Sequence, residues 1–384
     1  METDYRSILE TLVGFETTPD RSNRPLIDWI ADRLDTHDMD VDVLPAEDAR
    51  KANLLARIGP SAPGGIVLSG HTDVVTTKDQ DWSFDPFKVS EAEGRLYGRG
   101  TADMKGFVSL VLAMAPRYSR RPLRRPIYLA LSHDEETGCL GVPALIDHII
   151  QTCEAPEFAI IGEPTSLHAV TSHKSMNLFC TRIVGKEAHS SAPDRGASAI
   201  SAAAKLIVFL EDYFVDLKSK LPQDDRFDPP HCSVNIGRMD GGIATSFVAN
   251  RCRVDWEFRS LPDVDADAIL KDIRAYVDQE LRPQLQQNHP EADIDLNCWA
   301  QIPALRNSGE NALEHLIGRL TDSDERGAVS YGTEAGFYQL AGMSTVICGP
   351  GSINQAHKAD EFVSIDQLEA GKTMLEKVGT WACE

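Results

Sequence analysis

The chain has 384 residues, 42% of them hydrophobic and 25% charged, which is longer than the roughly 250 to 300 residues at which single cores stop growing. Its 38 lysines and arginines against 59 aspartates and glutamates give a formal charge of -21, a field that repels nucleic acid and anionic lipid and sets both aside as partners. No basic segment followed by an apolar block opens the sequence, and no apolar run approaches the roughly 20 residues that span a bilayer, so a soluble, cytoplasmic protein is expected.

In chain order, Asp4 to Val13 and Pro25 to Thr36 place apolar residues at helical spacing. Val41 to Leu44 and Asn53 to Ile58 read as short strands around a turn at Pro45 to Asp48, and Gly64-Gly65 leads into the run I-V-L-S-G-H-T-D, Ile66 to Asp73. That run reads as a buried strand with His71 and Asp73 at its carboxyl end, the edge where open α/β sheets bind ligands. An irregular polar segment, Thr76 to Pro86, and a tight turn system, Gly94 to Gly100, follow, and then Asp103 precedes an apolar helix at Gly106 to Met114. Ile127 to Leu131 is a strand ending in Asp134-Glu135-Glu136, and Ala159 to Ile161 repeats the pattern with Glu163 at its end. Chance rarely places metal-competent side chains after successive strands so regularly.

From about Lys174 the pattern changes to strand (Asn177 to Val184), small-residue helix (Ala197 to Leu210), strands (Ser233 to Arg238, Cys252 to Phe258), helix (Ala268 to Leu281) and strand (Ile294 to Trp299). This β-α-β-β-α-β order is that of a ferredoxin-like α+β domain. Leu305 onward returns to helix and strand, with Thr345 to Cys348 a strand before the loop G-P-G-S-I-N-Q-A-H-K-A-D-E and a closing helix at Ile365 to Val378. The reading is an α/β fold: a domain of residues 1–173 and 300–384 with a mixed, mostly parallel sheet flanked by helices, interrupted by a lid domain of residues 174–299.

The residues also suggest chemistry. Two divalent ions a few ångströms apart can polarise an amide carbonyl and lower the pKa of a water between them, provided a carboxylate bridges them. Candidate ligands are His71, Asp103, Glu136, Glu163 and His357, a nitrogen and oxygen set without thiolates that suits Zn²⁺, with Co²⁺ or Mn²⁺ as substitutes. The eight cysteines are scattered with no C-x-x-C pair, which fits reduced thiols. Glu135, beside Glu136, is left to move the proton as general base. Asp73, two residues past His71, is placed to accept the imidazole N–H. Each residue has a plainer reading. His71 alone is a strand-end histidine bonded to backbone, Asp73 a turn acceptor, Asp103 a helix N-cap, Glu135 and Glu136 a solvated turn, and Glu163 and His357 surface groups.

The motifs G-H-T-D-V-V (70–75), Y-G-R-G-T-A-D-M-K-G (97–106), D-E-E-T-G (134–138), I-G-E-P-T (161–165) and G-P-G…A-H…D-E resemble, in order and over nearly the whole chain, the acetylornithine deacetylase and succinyl-diaminopimelate desuccinylase family. That resemblance implies a zinc-peptidase-like catalytic domain with two metal ions per chain. Asp103 would bridge them, His71 and Glu163 would hold one, Glu136 and His357 the other, and Glu135 would be base and proton shuttle. G-E-P-T-S-L (162–167), H-K (173–174), G-T-E-A (332–335) and G-P-G-S-I-N-Q-A-H (349–357) are closest to the acetylornithine branch, which implies deacetylation of N-acetylornithine to ornithine in arginine biosynthesis. S-M-N stands after His173-Lys174 where a glycine is expected, which leaves acetylcitrulline, succinyl-diaminopimelate, other N-acylamino acids and dipeptides open as substrates.

The same resemblance assigns His189 in E-A-H-S-S to the oxyanion, reaching a partner subunit in dimeric members and so implying a homodimer through the lid. Arg259, Asn250, Lys174, Gly332 and Thr333 match its substrate positions. A guanidinium suits an α-carboxylate; the plainer readings are a loop histidine for His189 and structural hydrogen-bonders for Asn250 and Arg259. A non-catalytic metal-binding paralogue would have no need of a free base beside the ligands.

Overall fold

The computed structural model describes residues 4–37, 39–307, 309 and 312–384. The chain folds as two compact units, Met1–Ser172 with Asn307–Gly327 and Thr333–Glu384, and His173–Arg306 with Ala328–Gly332.

In the first unit, α1 (Tyr5–Gly14) is capped by Asp4, whose carboxylate accepts the Arg6 N–H, and turns Ile8, Leu9, Leu12 and Val13 into the core. After α2 (Arg24–Asp35) come β1 (Asp40–Pro45), β2 (Ala52–Ile58), β3 (Ile66–His71) and the short β4 (Ser90–Ala92) and β5 (Arg95–Tyr97). The helix α3 (Lys105–Tyr118), β6 (Ile127–Ser132), α4 (Val142–Thr152), β7 (Phe158–Pro164) and β8 (Ala169–His173) follow. Strands β3, β6 and β7 are buried at every position, as parallel strands covered on both faces must be. Helix α3 is buried along nearly its whole length. It lies so close to β7 that a Cβ at Gly162 would fall 2.1 Å from the Phe107 ring, so only glycine fits just before Glu163.

The second unit contains β9 (Met176–Val184), α5 (Ala199–Lys220), β10 (Ser233–Gly241), β11 (Arg251–Arg259), α6 (Ala266–Tyr276) and β12 (Asp293–Ile302). Its sheet runs β10-β11-β9-β12 with every pair antiparallel, the β-α-β-β-α-β arrangement expected of a ferredoxin-like unit. Phe179 stacks on Trp256 with centroids 4.1 Å apart in a core separate from that of the first unit. Helix α5 runs ten residues past the expected Leu210, because the apolar period continues through Phe214 and Leu217 beneath interspersed charges. Helix α6 passes through a π-helical turn, Val277–Leu281, into another short helix, Arg282–Gln286.

The remaining strands are β13 (Arg326–Val329), which crosses from the first unit's segment into the second's at Ala328, and β14 (Ser344–Gly349) and β15 (Phe362–Ser364) of the first unit. The main sheet has the order β1-β2-β6-β3-β7-β14-β8-β13. Its centre, β6-β3-β7-β14, is parallel, and β1, β2 and β8 pair antiparallel around it. None of the described helices is long and apolar enough to cross a membrane.

His173 is fully buried, and its Nδ1–H donates to the Lys174 carbonyl at 2.8 Å. Nε2 finds no hydrogen-bond partner among the described residues. Burial, opposed by that hydrogen bond, holds the imidazole pKa down at about 4, against 6.5 when exposed. The unfolded chain therefore takes up a proton below 6.5 that the folded chain refuses until about 4, so stability present above that window, up to about 3 kcal/mol, is lost as pH falls through it. His173→Asn is expected to flatten this part of the curve. Melting temperatures of the variant and the natural chain, compared at pH 7, 6 and 5, check it.

Candidate metal centre

The parallel centre of the first unit carries its chemistry at the carboxyl ends of its strands. His71 closes β3 with a side chain 1% exposed, and its Nδ1–H donates to the main-chain carbonyl of Asp73 at 2.9 Å. A carbonyl can only accept, so Nδ1 carries a proton, and Nε2 is the ring atom that faces the acids, where it would be free for a cation once it has given up its own proton. Nε2 lies 3.0 Å from Asp103 Oδ1 and 3.8 Å from Glu163 Oε1.

The expected role of Asp73 needs one correction. Its carboxylate stands 3.7 Å from His71 Nδ1 and does not take the imidazole proton. It accepts the main-chain N–H groups of Glu135 and Glu136, at 3.1 and 3.0 Å. Asp73 thus orients the histidine through its backbone, and its buried side chain anchors the acidic turn after β6. Strand pairing explains this: β3 and β6 lie in parallel register, with His71 opposite Ser132, so the two strand ends emerge side by side.

Asp103 does not cap α3. The N-cap position belongs to Met104, with no side-chain cap bond. The Asp103 carboxylate instead spans two imidazoles, Oδ1 toward His71 and Oδ2 toward His357 Nε2 at 3.4 Å. His357 Nε2 also lies 3.0 Å from Glu136 Oε2. Asp103, Glu136 and Glu163 have side chains only 6% exposed, whereas that of His357 is 55% exposed.

So many buried acids repel one another. Burial, with Asp103 and the other acids adding to it, drives Glu163 well above the usual carboxylate range. Burial likewise drives Glu135 well above it, opposed by His71 and reinforced by Glu136, Glu334 and Asp73, and raises Glu136, with Asp103 adding. Hydrogen bonds to Asp103 and Glu136 push His357 up to about 10. For His71, burial acts downward, but Asp103 and Glu163 outweigh it. The cluster is short of positive charge, and Glu136 Oε1 is buried with no hydrogen-bond partner among the described residues. The ligand atoms of His71, Glu135 and Glu163, and those of His71, Asp103 and Glu136, lie within 4.8 Å of one another. Imidazole and carboxylate donors, excess buried negative charge and an orphaned oxygen fit divalent cations.

The other expected residues are held by partners within their own units. His189, on the second unit, is exposed, and its Nδ1 accepts the Ser191 N–H at 3.1 Å. Arg259 is paired with Glu257 at 3.0 Å and donates to the Ser330 carbonyl. Lys174 is fully buried, its ammonium donating to the carbonyls of Pro229 and His231 at 2.6 and 2.8 Å, which makes it an anchor within that unit. Asn250 is half-buried and accepts the Gly185 N–H through its main chain. Gly332 ends the second unit's Ala328–Gly332 segment, and Thr333, in the first unit, is buried with Oγ1 accepting the Ala335 N–H.

The sequence reading assigned no role to two buried acids. Glu334 accepts from Ser69 and Ser132 beneath the strand ends. Glu361 accepts Arg99 Nη1 at 2.7 Å and the N–H groups of Gly100, Ala102 and Asp103. Both stood inside quoted motifs, G-T-E-A and the D-E that ends the His357 loop, and that was their only signal.

Known proteins share this organisation. The sequence pattern described as Peptidase family M20/M25/M40 matches residues 67–379. The acetylornithine deacetylase of Pasteurella multocida (strain Pm70) is 34% identical over 369 residues, covering 96% of this chain and 94% of its own. That of Photorhabdus laumondii is 34% identical over 384 residues, covering 97% and 95%. An M20 family metallo-carboxypeptidase from Sulfolobus solfataricus superposes with a TM-score of 0.78 over 100% of both chains at 15% identity. A tripeptidase from Staphylococcus aureus gives 0.73 over 99% and 98% at 20% identity, and at such identities the likeness is one of fold. A pattern spanning most of the chain, joined to relatives that match it nearly end to end, shows that the chain belongs to peptidase family M20/M25/M40 and is a metal-dependent hydrolase acting on amides.

Proposed function

We propose that this hydrolase removes the acetyl group of N-acetylornithine, releasing ornithine and acetate in the cytoplasm as a step of arginine biosynthesis. The observation that carries the reading is the nearly end-to-end relationship to proteins bearing the name acetylornithine deacetylase. His71, Asp103, Glu136, Glu163 and His357 would hold two divalent ions, Zn²⁺ by the donor set, with Asp103 shared between them. When bound, such ions polarise the amide carbonyl and acidify water.

The chain's own residues do the rest. Glu135, its backbone fixed by Asp73, takes the proton from the attacking water and hands it to the departing amine. His189 Nδ1 accepts the Ser191 amide, which places a ring proton on Nε2, and that N–H would be the donor offered to the oxyanion. Arg259 would exchange Glu257 for the α-carboxylate of the substrate, a planar fork meeting a planar acid, with Asn250, Gly332 and Thr333 at the same end. The four-stranded unit is proposed as the lid and as the surface on which two chains pair.

A substrate panel tests the assignment. With Zn²⁺ or Co²⁺ added, kcat/KM for N-acetylornithine is expected to exceed that for N-acetylcitrulline, N-succinyl-diaminopimelate and dipeptides by at least about tenfold, or ~1.4 kcal/mol in the transition state. Equal or faster turnover of any of the others overturns the choice of substrate and leaves the amide chemistry standing.

A further inference from the structure

His357 is the one expected ligand whose side chain is more than half exposed, and its backbone is left-handed, at φ 61°. Residues other than glycine avoid that region, so something must hold the loop in place. The neighbouring polar segment does so. Gln80 Nε2 donates to the His357 carbonyl at 3.1 Å, and Asp360, also left-handed at φ 55°, accepts the Ser83 N–H at 2.8 Å.

Gln80 is held in turn from inside. Its Oε1 accepts Arg99 Nη2 at 2.6 Å and Trp82 Nε1 at 3.2 Å, and these donors fix which end of the amide points at His357. Arg99 Nη1 binds Glu361 Oε2 at 2.7 Å in an ion pair whose side chains are each 1% exposed. The guanidinium carbon lies 5.0 Å from the centre of the Trp82 ring. The Oε1 of the same Glu361 accepts the N–H groups of Ala102 and Asp103 at 2.9 and 3.0 Å. One continuous path thus runs from the backbone of Asp103 through Glu361, Arg99 and Gln80 to the backbone of His357, the two residues whose side chains face each other at 3.4 Å.

We propose that Gln80 is a positioning residue: with the buried Arg99–Glu361 pair behind it, it sets the imidazole of His357 against Asp103 and Glu136 and so determines how tightly that end of the centre holds a divalent cation. A polar segment with no chemistry of its own, Thr76 to Pro86, then acts as the outer brace of the site. The inference rests on the reading of His357 as a ligand. Groups that orient ligands from behind typically change metal affinity by about 10- to 100-fold when removed.

The test uses the full chain stripped of metal and titrated calorimetrically with Zn²⁺. Gln80→Met keeps the side-chain length and removes the donor and acceptor, and His357→Ala removes the imidazole. Gln80 is only partly buried, so the metal-free melting temperature of Gln80→Met is expected to stay within about 2 °C of the natural chain. Its Zn²⁺ affinity should fall by roughly 10- to 100-fold, in the same direction as that of His357→Ala. Binding by Gln80→Met within about threefold of the natural chain, with His357→Ala weakened, overturns the brace and leaves the ligand. An affinity loss matched by a large drop in melting temperature also overturns it, as a general structural effect. Unchanged binding by His357→Ala overturns the reading beneath it.

Discussion

Asp103→Ala is expected to abolish hydrolysis and to weaken metal binding at both ends of the centre. Each oxygen of this carboxylate faces a different imidazole, His71 at 3.0 Å and His357 at 3.4 Å, and among the described residues no other acid stands against both. Lewis-acid stabilisation is worth several kcal/mol, and at ~1.36 kcal/mol per tenfold its loss lowers kcat/KM by on the order of 10³ or more. The substitution should not unfold the protein. Asp103 is itself a buried negative charge that raises Glu136 and Glu163, and its removal relieves that repulsion while giving up its bonds to the two histidines. A metal-free melting temperature within a few degrees of the natural chain, with Zn²⁺ failing to restore activity, is the expected pair of results. Chelator treatment of the natural chain should abolish activity in the same way, but reversibly on adding Zn²⁺ or Co²⁺. Activity surviving in Asp103→Ala, or a metal stoichiometry equal to that of the natural chain, would remove Asp103 from the shared position.

The parts of this fold that could be read from sequence are those in which one stretch carries its own signal. Strands β3, β6 and β7 are unbroken apolar runs because both faces are covered, and the polar residue closing each run marks the sheet edge. Helix α4 and strand β8 went unread: the first follows a glycine-rich turn and is exposed on one side, and the second is a mixed run, A-V-T-S-H, with no alternation. The site shows the same division. Side-chain identity points to His71, Asp103, Glu135, Glu136, Glu163 and His357, but which atom of Asp73 meets His71 depends on backbone geometry. The bond from Glu361 to the Asp103 loop joins residues 258 apart in the chain, and no local pattern signals such a pairing. Arg99 appeared to be only part of a turn, because burial of a charge is a tertiary fact.

Glu135 carries the second large prediction, because its geometry permits two roles. As a base it would stand free of the ions. Its Oε1 is 3.4 Å from the Cys139 thiol, its main-chain N–H is fixed by Asp73, and Glu136 alone of the pair reaches His357. As a ligand it would join His71 and Glu163, with which its carboxylate shares a 4.8 Å cluster. Glu135→Gln separates the two, since the amide keeps the size and the neutral oxygen but cannot accept the proton. For a base, kcat should fall by about 10²- to 10⁴-fold, with KM little changed and metal content by elemental analysis equal to that of the natural chain. For a ligand, metal content or affinity falls together with activity, and added Zn²⁺ recovers part of both. Near-natural kcat with intact metal sinks both roles and passes proton transfer to another group at the strand ends. Asp73 gives reason to expect the first result: by holding the N–H groups of Glu135 and Glu136 on one carboxylate, it fixes two adjacent side chains in a turn from which they diverge, Glu136 to His357 and Glu135 to the Cys139 thiol, which would leave Glu135 free to move a proton.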